Sequence, residues 1–354
     1  MMPSPLIELD HVTKIYGGGV LSKDETVALD DVCLTVDADT PQITAIVGES
    51  GSGKTTLASL LLGFLSPTIG KVLYEGDDVS KLHGAQMREF RRDIQAVFQD
   101  PFSVFNPFYK IDHVLTVPIS RFKLASSKTQ RHDLMVSALE AVGLRPDETL
   151  GRYPHQLSGG QRQRIIVARA LMLRPKVIIA DEPVSMVDAS LRATILESLR
   201  KVNQALKVPI LYITHDLGTA YHVADHILVM YRGNVVEAGD VATVINNPKH
   251  PYTRLLIDSI PWPDPKRRWG QEVESRSEDI VVPGKHPGCR FAARCPSMME
   301  KCLSAQPPLY LTDPSHAAAC YLHDHQAAVP KDQLSSLLQL DKTRAFEAPA
   351  LSGN

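Results

Sequence analysis

The stretch Gly48-Glu-Ser-Gly-Ser-Gly-Lys-Thr55 decides the fold, because it matches the phosphate-binding pattern G-x-x-x-x-G-K-[ST]. It follows an apolar run at 43–47 and precedes a helix-like segment at 56–62, so the pattern predicts a strand, a loop and a helix. The loop glycines let successive backbone N–H groups turn toward phosphate oxygens, and the helix dipole adds to the attraction. A Gly/Ser-rich surface turn is the plainer alternative, and the strand and helix on either side disfavour it.

The side chains of this loop have predicted roles. We expect Lys54 to reach the β and γ phosphates of a nucleotide and the Thr55 hydroxyl to hold Mg²⁺. The residues predicted to contact the nucleotide are Gly48, Glu49, Ser50, Gly51, Ser52, Gly53, Lys54, Thr55 and Thr56.

Two adjacent carboxylates end a second apolar run, Val177-Ile-Ile-Ala-Asp181-Glu182. Such a run is typical of a strand buried on both faces of a parallel sheet, and ligands bind at the carboxyl ends of such strands. We expect Asp181 to hold Mg²⁺ through water and Glu182 to polarise the attacking water. Without the phosphate loop, the same pair would be read as the start of a helix or turn.

A third motif is Leu157-Ser-Gly-Gly-Gln161, whose serine lies 104 positions beyond Lys54 and which is followed by an amphipathic segment that ends at Leu171. This segment resembles the signature helix of ATP-binding-cassette (ABC) ATPases. A serine can cap the helix while glycine N–H groups at its start face a γ-phosphate. The resemblance implies that each ATP lies between two chains and that the signature of one subunit closes over the phosphate loop of another. The signature residues implied to contact ATP are Ser158, Gly159, Gly160 and Gln161.

The resemblance also assigns roles to single residues outside these motifs. Tyr16 matches the aromatic residue that stacks on adenine, and Gln99 matches the glutamine that senses magnesium and links to the membrane partner. His215 matches the histidine that contacts the γ-phosphate. The implied catalytic residues are Glu182, His215 and Gln99, and the implied Mg²⁺ ligands are Thr55, Gln99 and Asp181. Each also has an ordinary structural explanation: a core edge for Tyr16, a strand-end polar residue for Gln99 and a helix cap for His215.

These motifs and the apolar periodicity predict the fold class and the domains. We expect an α/β phosphate-loop ABC ATPase with a RecA-like parallel-sheet core, an antiparallel β subdomain, a helical signature subdomain at about 102–170 and a small Cys-rich C-terminal extension. The predicted antiparallel strands are 6–12, 32–36 and 71–74; the parallel strands are 43–47, 94–98, 177–180 and 210–214; and a hairpin joins 226–231 to 235–238.

Proline usage marks the predicted domain boundary, since 13 of the 25 prolines lie in the last 107 residues. The predicted domains are a nucleotide-binding domain at 1–250, a C-terminal domain at 251–330 and a flexible tail at 331–354. An irregular connector is predicted from Pro261 to about Pro287.

Composition narrows the function classes. A net charge of −2 and a pI near 6.7 give no electrostatic footprint for nucleic acid, so we expect no nucleic-acid partner. No apolar run is long enough to cross a bilayer, and the N-terminus lacks the charged and apolar regions of a signal peptide. Any membrane role would therefore require membrane-embedded partners.

The C-terminal third resembles a particular subfamily. His250-Pro-Tyr-Thr-Arg254, the stretch from Gln99 to Pro107 and the cysteine cluster after Gly288 resemble oligopeptide and dipeptide importer ATPases. The resemblance implies an ATP-hydrolysing subunit at the cytoplasmic face of the inner membrane. Its implied partners are a second ABC ATPase subunit, which is a homologue or a second copy, two transmembrane permease subunits and, indirectly, an extracytoplasmic substrate-binding protein. A nickel or nickel-complex importer is the alternative, and a soluble ABC ATPase without a transport role is a weaker one.

Four of the five cysteines form one group, Cys289, Cys295, Cys302 and Cys320, with the spacing C-x5-C-x6-C-x17-C, while Cys33 stands alone in a strand. In a reducing cytosol, clustered thiols indicate a metal before a disulfide. The spacing lacks the C-x2-C pairs of zinc ribbons, and the family resemblance points to a [4Fe-4S] cluster with four cysteine ligands. Zn²⁺ is the alternative ligand, and four unliganded thiols are the third interpretation.

Overall fold

The structure is a computed structural model that describes residues 5–17, 25–100, 104–260 and 287–338 of the 354-residue chain. The predicted connector lies, apart from Pro287, outside the described residues, as does the tail beyond residue 338. The strands are β1 (Ile7–Gly17), β2 (Glu25–Val36), β3 (Ile43–Val47), β4 (Ile69–Tyr74), β5 (Asp77–Asp78), β6 (Ile94–Val97), β7 (Val177–Asp181), β8 (Ile210–Thr214), β9 (His226–Tyr231), β10 (Asn234–Asp240), β11 (Leu309–Asp313), β12 (His316–Ala318) and β13 (Ala328–Val329). The α-helices are α1 (Lys54–Leu61), α2 (Gly84–Asp93), α3 (Ile111–Phe122), α4 (Lys128–Ala141), α5 (Pro146–Thr149), α6 (Gly159–Leu171), α7 (Ala189–Leu206), α8 (Leu217–Val223), α9 (Val241–Asn246), α10 (Pro251–Asp258) and α11 (Lys301–Ser304).

The larger sheet has the strand order β13-β11-β12-β10-β9-β3-β8-β7-β6. Its centre is parallel, because β3 pairs with both β8 and β9, and β7 pairs with β8 and β6. Each central strand is buried on both faces: Ile178 and Ala180 enter one hydrophobic core, while Val177 and Ile179 enter the other. This arrangement explains the continuous apolar runs of the sequence and confirms the predicted parallel core.

A second sheet of four antiparallel strands, in the order β2-β1-β4-β5, covers one face of the parallel core. Ile7 and Leu9 of β1 pack in the same core as Leu57 and Leu61 of α1. The core therefore ties this sheet to the helix that follows the phosphate loop. The antiparallel strands predicted from the sequence are confirmed, and β1 and β2 extend further than predicted.

The described residues from 104 to the start of β7 are mainly helical, as predicted. Helix α6 packs against α4, α7 and strand β6, so the signature helix contacts both the helical region and the parallel sheet. Its buried face includes Ile165 and Ile166, which join the core on the face of the sheet opposite the antiparallel strands.

The C-terminal extension continues the larger sheet instead of forming a separate body. Strand β12 pairs antiparallel with β10, and Gly239 allows this approach because a Cβ there would lie 2.4 Å from the Ser315 carbonyl oxygen. Buried Glu237 of β10 accepts hydrogen bonds from His316 Nε2 at 2.6 Å and from the backbone N–H of His250 at 2.9 Å. The boundary predicted at residue 250 therefore crosses a contact that unites the two segments.

The predicted flexible tail begins too early. Residues Lys331–Leu338 form a 3₁₀-helix that packs on β2, and Leu334, Leu337 and Leu338 are buried there. The leucines recur on one face of the turn, and that spacing holds the segment on the apolar surface. Among the described residues, no helix is both long and apolar enough to cross a membrane.

Candidate nucleotide-binding site

The phosphate loop lies between β3 and α1 and is closely surrounded by backbone. A Cβ at Gly48 would lie 2.2 Å from the Met230 carbonyl oxygen, and one at Gly53 would lie 2.5 Å from the Ala28 carbonyl oxygen. Gly53 also has a φ of 105°, which a side chain would strain. Gly48 and Gly53 are therefore required by the packing of the loop as well as by its curvature.

Lys54 points into the curve of this loop. Its Nζ donates to the carbonyl oxygens of Gly48 at 2.7 Å and Glu49 at 2.9 Å. Burial lowers the pKa of Lys54, and the carboxylates of Glu182 and Asp181 oppose that shift. A buried ammonium with neutral carbonyl partners provides an attraction for an anion such as a phosphate.

The two carboxylates lie at the end of β7, as the sequence predicts. Burial and the neighbouring Glu182 charge raise the pKa of Asp181, while Lys54 lowers it. Glu182 has a φ of 45°, a conformation uncommon outside glycine, and its N–H donates to the Ile213 carbonyl oxygen at 2.9 Å. Backbone strain of this kind concentrates at functional sites.

His215 follows β8 and lies beside Glu182. Its Nδ1 is 2.9 Å from Glu182 Oε1, and the imidazole remains 59% exposed while the carboxylate is 19% exposed. The neighbouring strands β7 and β8 therefore bring a carboxylate and an imidazole together with one open side, as a general base that acts on bound substrate requires.

Gln99 lies at the same edge of the sheet as Asp181. It follows β6 by two residues, and the last residue of β6, Val97, pairs with Ala180. Fully buried Gln163 of the signature helix donates from Nε2 to the Phe98 carbonyl oxygen at 3.1 Å. The signature helix thus contacts the segment that carries Gln99, a link that the sequence motifs did not reveal.

Tyr16 projects from the antiparallel sheet near the phosphate loop. Its ring is 41% exposed, and the ammonium of Lys14 lies 5.3 Å from the ring centroid. Lys14 pairs with Leu29 of β2, adjacent to the Ala28 carbonyl that contacts Gly53. An exposed aromatic ring in this position is suited to stacking on a base.

The signature motif begins α6, and its serine caps the helix as predicted. Ser158 Oγ accepts from the Gln161 N–H at 3.2 Å, and Gln161 Oε1 accepts from the Ser158 N–H at 2.9 Å. Ser158 is exposed, and a Cβ at Gly159 would meet no atom within 4 Å. The start of the helix is therefore open to a second molecule.

Comparison with known proteins identifies the family. The family described as "ABC transporter" matches residues 29–185, and "Oligopeptide/dipeptide transporter, C-terminal region" matches residues 236–302. A probable peptide ABC transporter ATP-binding protein of Sinorhizobium fredii is 39% identical over 332 residues, covering 92% of each chain. The chain belongs to the ATP-binding proteins of ABC transporters.

Other relatives of this cassette carry similar descriptions. A putative oligopeptide transport ATP-binding protein of Bacillus subtilis is 37% identical over 327 residues, covering 90% of this chain and 96% of the relative. Among solved structures, a dimeric ATP-binding cassette in a post-hydrolysis state with ADP and Pi is 28% identical, with a TM-score of 0.58 over 66% of this chain and 98% of that chain.

The phosphate loop of this cassette is held by two residues from the C-terminal region. Tyr252 Oη accepts from the Glu49 N–H at 2.8 Å, and the Arg294 guanidinium contacts both Glu49 carboxylate oxygens, at 2.9 and 3.1 Å. Tyr252 belongs to the motif His250-Pro-Tyr-Thr-Arg254 and Arg294 lies between two cysteines of the C-terminal cluster, but neither motif predicts a contact with the loop. Their separation from Glu49 by 203 and 245 positions left no local signal.

The four C-terminal cysteines lie close together. Burial raises the pKa of Cys320 to about 12, and the charges of the nearby Cys295, Cys289 and Cys302 act in the same direction. Burial likewise raises the pKa of Cys289 to about 11. All four thiols are free of disulfides and buried or half-buried, as a bound metal or cluster would require.

Nearby backbone N–H groups act on the pKa of three of these thiols. The N–H groups of Phe291 and Ala292 lower the pKa of Cys289, that of Ser297 lowers the pKa of Cys295, and that of Leu322 lowers the pKa of Cys320. Each effect opposes the larger effect of burial. Such hydrogen bonds stabilise thiolates and tune metal sites.

Cys33 is less isolated than its sequence position indicates. Together with His11 and Asp31, it forms the one group of three or more His, Cys, Asp or Glu residues in the described part of the chain whose ligand atoms all lie within 4.8 Å of one another. Lys331 Nζ lies 2.8 Å from Asp31 Oδ2, so the carboxylate is already paired with a cation.

Proposed function

We propose that the cassette is the ATP-hydrolysing subunit of an ABC importer for di- and oligopeptides. The observation that carries this proposal is the presence in one chain of the nucleotide-site residues and the oligopeptide/dipeptide transporter C-terminal region. The descriptions of the Sinorhizobium and Bacillus relatives support the peptide substrate. Nickel or a nickel complex is the alternative cargo.

The chemistry we propose uses three side chains. Lys54 binds the β and γ phosphates and offsets their charge. Glu182 Oε1 orients the attacking water and accepts its proton, and the His215 imidazole holds that carboxylate and contacts the γ-phosphate. The strained backbone at Glu182 supports this role, because the hydrogen bond from the Glu182 N–H to the Ile213 carbonyl oxygen fixes the direction of the carboxylate.

Magnesium is the metal that this site suits. Hydroxyl, amide and carboxylate oxygens are hard donors, and Thr55, Gln99 and Asp181 supply one of each. Adjacent strands β6 and β7 carry Gln99 and Asp181 to one edge. The bound ion would neutralise charge on the phosphate oxygens during transfer.

Two cassettes are needed for this reaction. We propose that Ser158, Gly159, Gly160 and Gln161 close over the nucleotide of a second ATPase subunit, either a homologue or another copy. The exposed start of α6 supports this assignment. The dimeric cassette with ADP and Pi among the similar structures is consistent with it.

Membrane partners would contact the segment after β6. Phe98 is 38% exposed, Phe108 87% and Tyr109 52%, so the residues around Gln99 present aromatic side chains to solvent. An exposed apolar patch of this kind is typical of a protein interface. We propose that two permease subunits bind here and hold the cassette at the cytoplasmic face of the inner membrane.

Reconstitution in lipid vesicles with candidate permease subunits and a substrate-binding protein tests the proposal. A di- or oligopeptide should stimulate ATP hydrolysis by the complex and accumulate inside vesicles. Stimulation by nickel salts or nickel complexes alone would instead favour the alternative cargo. Full activity of the purified cassette, with no association with permease subunits, would contradict a transport role.

We also propose that Cys289, Cys295, Cys302 and Cys320 hold a [4Fe-4S] cluster, with Zn²⁺ as the alternative. A single tetrahedral zinc with Zn–S bonds of about 2.3 Å would bring its sulfurs within about 3.8 Å of one another. In the described structure, no three of these four sulfur atoms all lie within 4.8 Å of one another. The wider separation favours the larger cluster, and the nearby N–H groups that favour the thiolates suit either ligand.

Anaerobic purification followed by metal analysis separates the alternatives. Iron and acid-labile sulfide in equal amounts, with a broad visible absorbance that reductant bleaches, would support the cluster. One equivalent of zinc and no visible absorbance would instead identify Zn²⁺ as the bound metal and exclude the cluster. Full metal binding by a variant with all four cysteines changed to serine would contradict both assignments.

A further inference from the structure

Glu49 connects the phosphate loop to the C-terminal region through its backbone N–H and its carboxylate. Its N–H donates to Tyr252 Oη, its carbonyl oxygen accepts from Lys54 Nζ at 2.9 Å, and its carboxylate accepts two hydrogen bonds from Arg294. The last contact is two-pronged, with N–O distances of 2.9 and 3.1 Å, which fixes direction as well as distance.

Arg294 lies on the 3₁₀ turn Ala292–Arg294, directly between Cys289 and Cys295. Phe291, one residue before the turn, is almost fully buried against the rings of Tyr231 and Tyr252, at centroid distances of 5.3 and 5.5 Å. The guanidinium also lies 5.6 Å from the Phe291 ring. Aromatic packing therefore fixes the turn, and the turn fixes the arginine.

The charge of Glu49 makes this contact important for ATP. The carboxylate is one residue from the first glycine of the loop and acts electrostatically on Lys54. With Arg294 in place, that negative charge is paired with a guanidinium. Without Arg294, it would repel nucleotide phosphates and compete with them for the Lys54 ammonium.

We propose that Arg294 is a positioning residue for ATP binding. It neutralises Glu49 and holds the phosphate loop in its nucleotide-accepting shape from the cysteine-bearing turn. This role concerns nucleotide binding alone, so it holds whichever molecule the complex transports.

The test measures the affinity of the full-length cassette for a fluorescent ATP analogue with Mg²⁺. Arg294→Gln should raise the Kd by about three- to ten-fold, the range expected for a two-pronged ion pair that is partly exposed. Arg294→Lys should recover part of the loss, because it retains the charge but not the two-pronged geometry. In steady-state assays, KM for ATP should rise while kcat at saturating ATP changes little.

Arg290→Gln is the matched control. Arg290 lies beside the same turn and forms an ion pair with Asp30 at 2.7 Å, with an exposure of 29% compared with 36% for Arg294. It does not contact Glu49 in the described structure. A change of less than about two-fold in Kd is expected, since this variant loosens the turn without exposing the loop carboxylate.

A double-mutant cycle completes the test. In the Glu49→Gln background, Arg294→Gln should change the Kd by less than about two-fold, because no carboxylate remains to be neutralised. An unchanged Kd for Arg294→Gln alone, or an equal loss in both backgrounds, would overturn the proposal. If Arg294→Gln is insoluble, Arg294→Lys measured in the two backgrounds gives the same cycle.

Discussion

The Nδ1 atom of His215 lies 2.9 Å from Oε1 of Glu182, across the ends of two adjacent parallel strands. This contact orients a half-buried carboxylate toward the open side of the site. Its geometry fits a base that acts on water already bound beside a γ-phosphate.

Changing Glu182 to glutamine should separate binding from chemistry. The amide retains the shape and can still accept from His215, but it cannot take a proton. Turnover at saturating Mg-ATP should fall by on the order of 10² to 10⁴, with the nucleotide Kd nearly unchanged. Steady-state ATPase assays and equilibrium nucleotide binding measure the two effects, and retained turnover would remove Glu182 as the base.

Changing Lys54 to alanine should instead act on binding. The ammonium is buried and donates to two loop carbonyl oxygens, so water in the alanine variant would not supply the same positive charge at this position. Loss of a charge-assisted contact should weaken nucleotide binding by about ten- to a hundred-fold. Calorimetric titration with Mg-ATP checks the prediction, with the exposed Lys201→Ala as a control. Equal affinities for both variants would contradict the role of Lys54.

Removing the His316 imidazole should destabilise the whole cassette. The ring and Glu237 are both fully buried, and without the ring the carboxylate would keep only its backbone donors. We expect a loss of about 3 kcal/mol in the free energy of unfolding for His316→Ala. Denaturant unfolding compares it with His325→Ala, an exposed histidine of the same extension, which should cost little. Equal free energies of unfolding for the two variants would show that the buried pair of His316 and Glu237 does not stabilise the fold.

Stability should also fall in mild acid because of His250. Burial lowers the pKa of His250 from 6.5 to about 4, so the folded state favours the neutral ring. Above about pH 6.5 the ring is neutral in both the folded and the unfolded state, so it does not lower the stability. As the pH falls from 6.5 toward 4, the unfolded chain binds a proton that the folded chain does not, and the free energy of unfolding decreases. The cost is about 3 kcal/mol.

The matched measurement for this pH effect uses His250→Asn, whose side-chain oxygen can still accept from the Tyr252 N–H. Its free energy of unfolding should depend less on pH between 6.5 and 4 than that of the unchanged protein. Parallel pH profiles for the two proteins would rule out His250 as the source.

The nucleotide-site elements could be predicted because their signals are local. The phosphate loop, the carboxylates after β7 and the Ser158 cap each depend on residues within a few positions. The contacts of Glu49 with Tyr252 and Arg294 were not predictable, because they arise from tertiary packing between distant segments. The pairing of β12 with β10 was missed for the same reason: β12 has three residues, too few for a pattern.

The addition of β12 to the sheet has a practical consequence for anyone shortening this chain. Ending it after α10 would leave β10 as an unpaired edge, open to strands of other molecules. The same truncation would remove His316, whose imidazole pairs with Glu237, and would leave the Glu237 carboxylate without that partner at the exposed edge of the sheet. A truncated cassette should therefore self-associate. In the full-length chain, limited proteolysis should not cut within the paired strands β10 and β12.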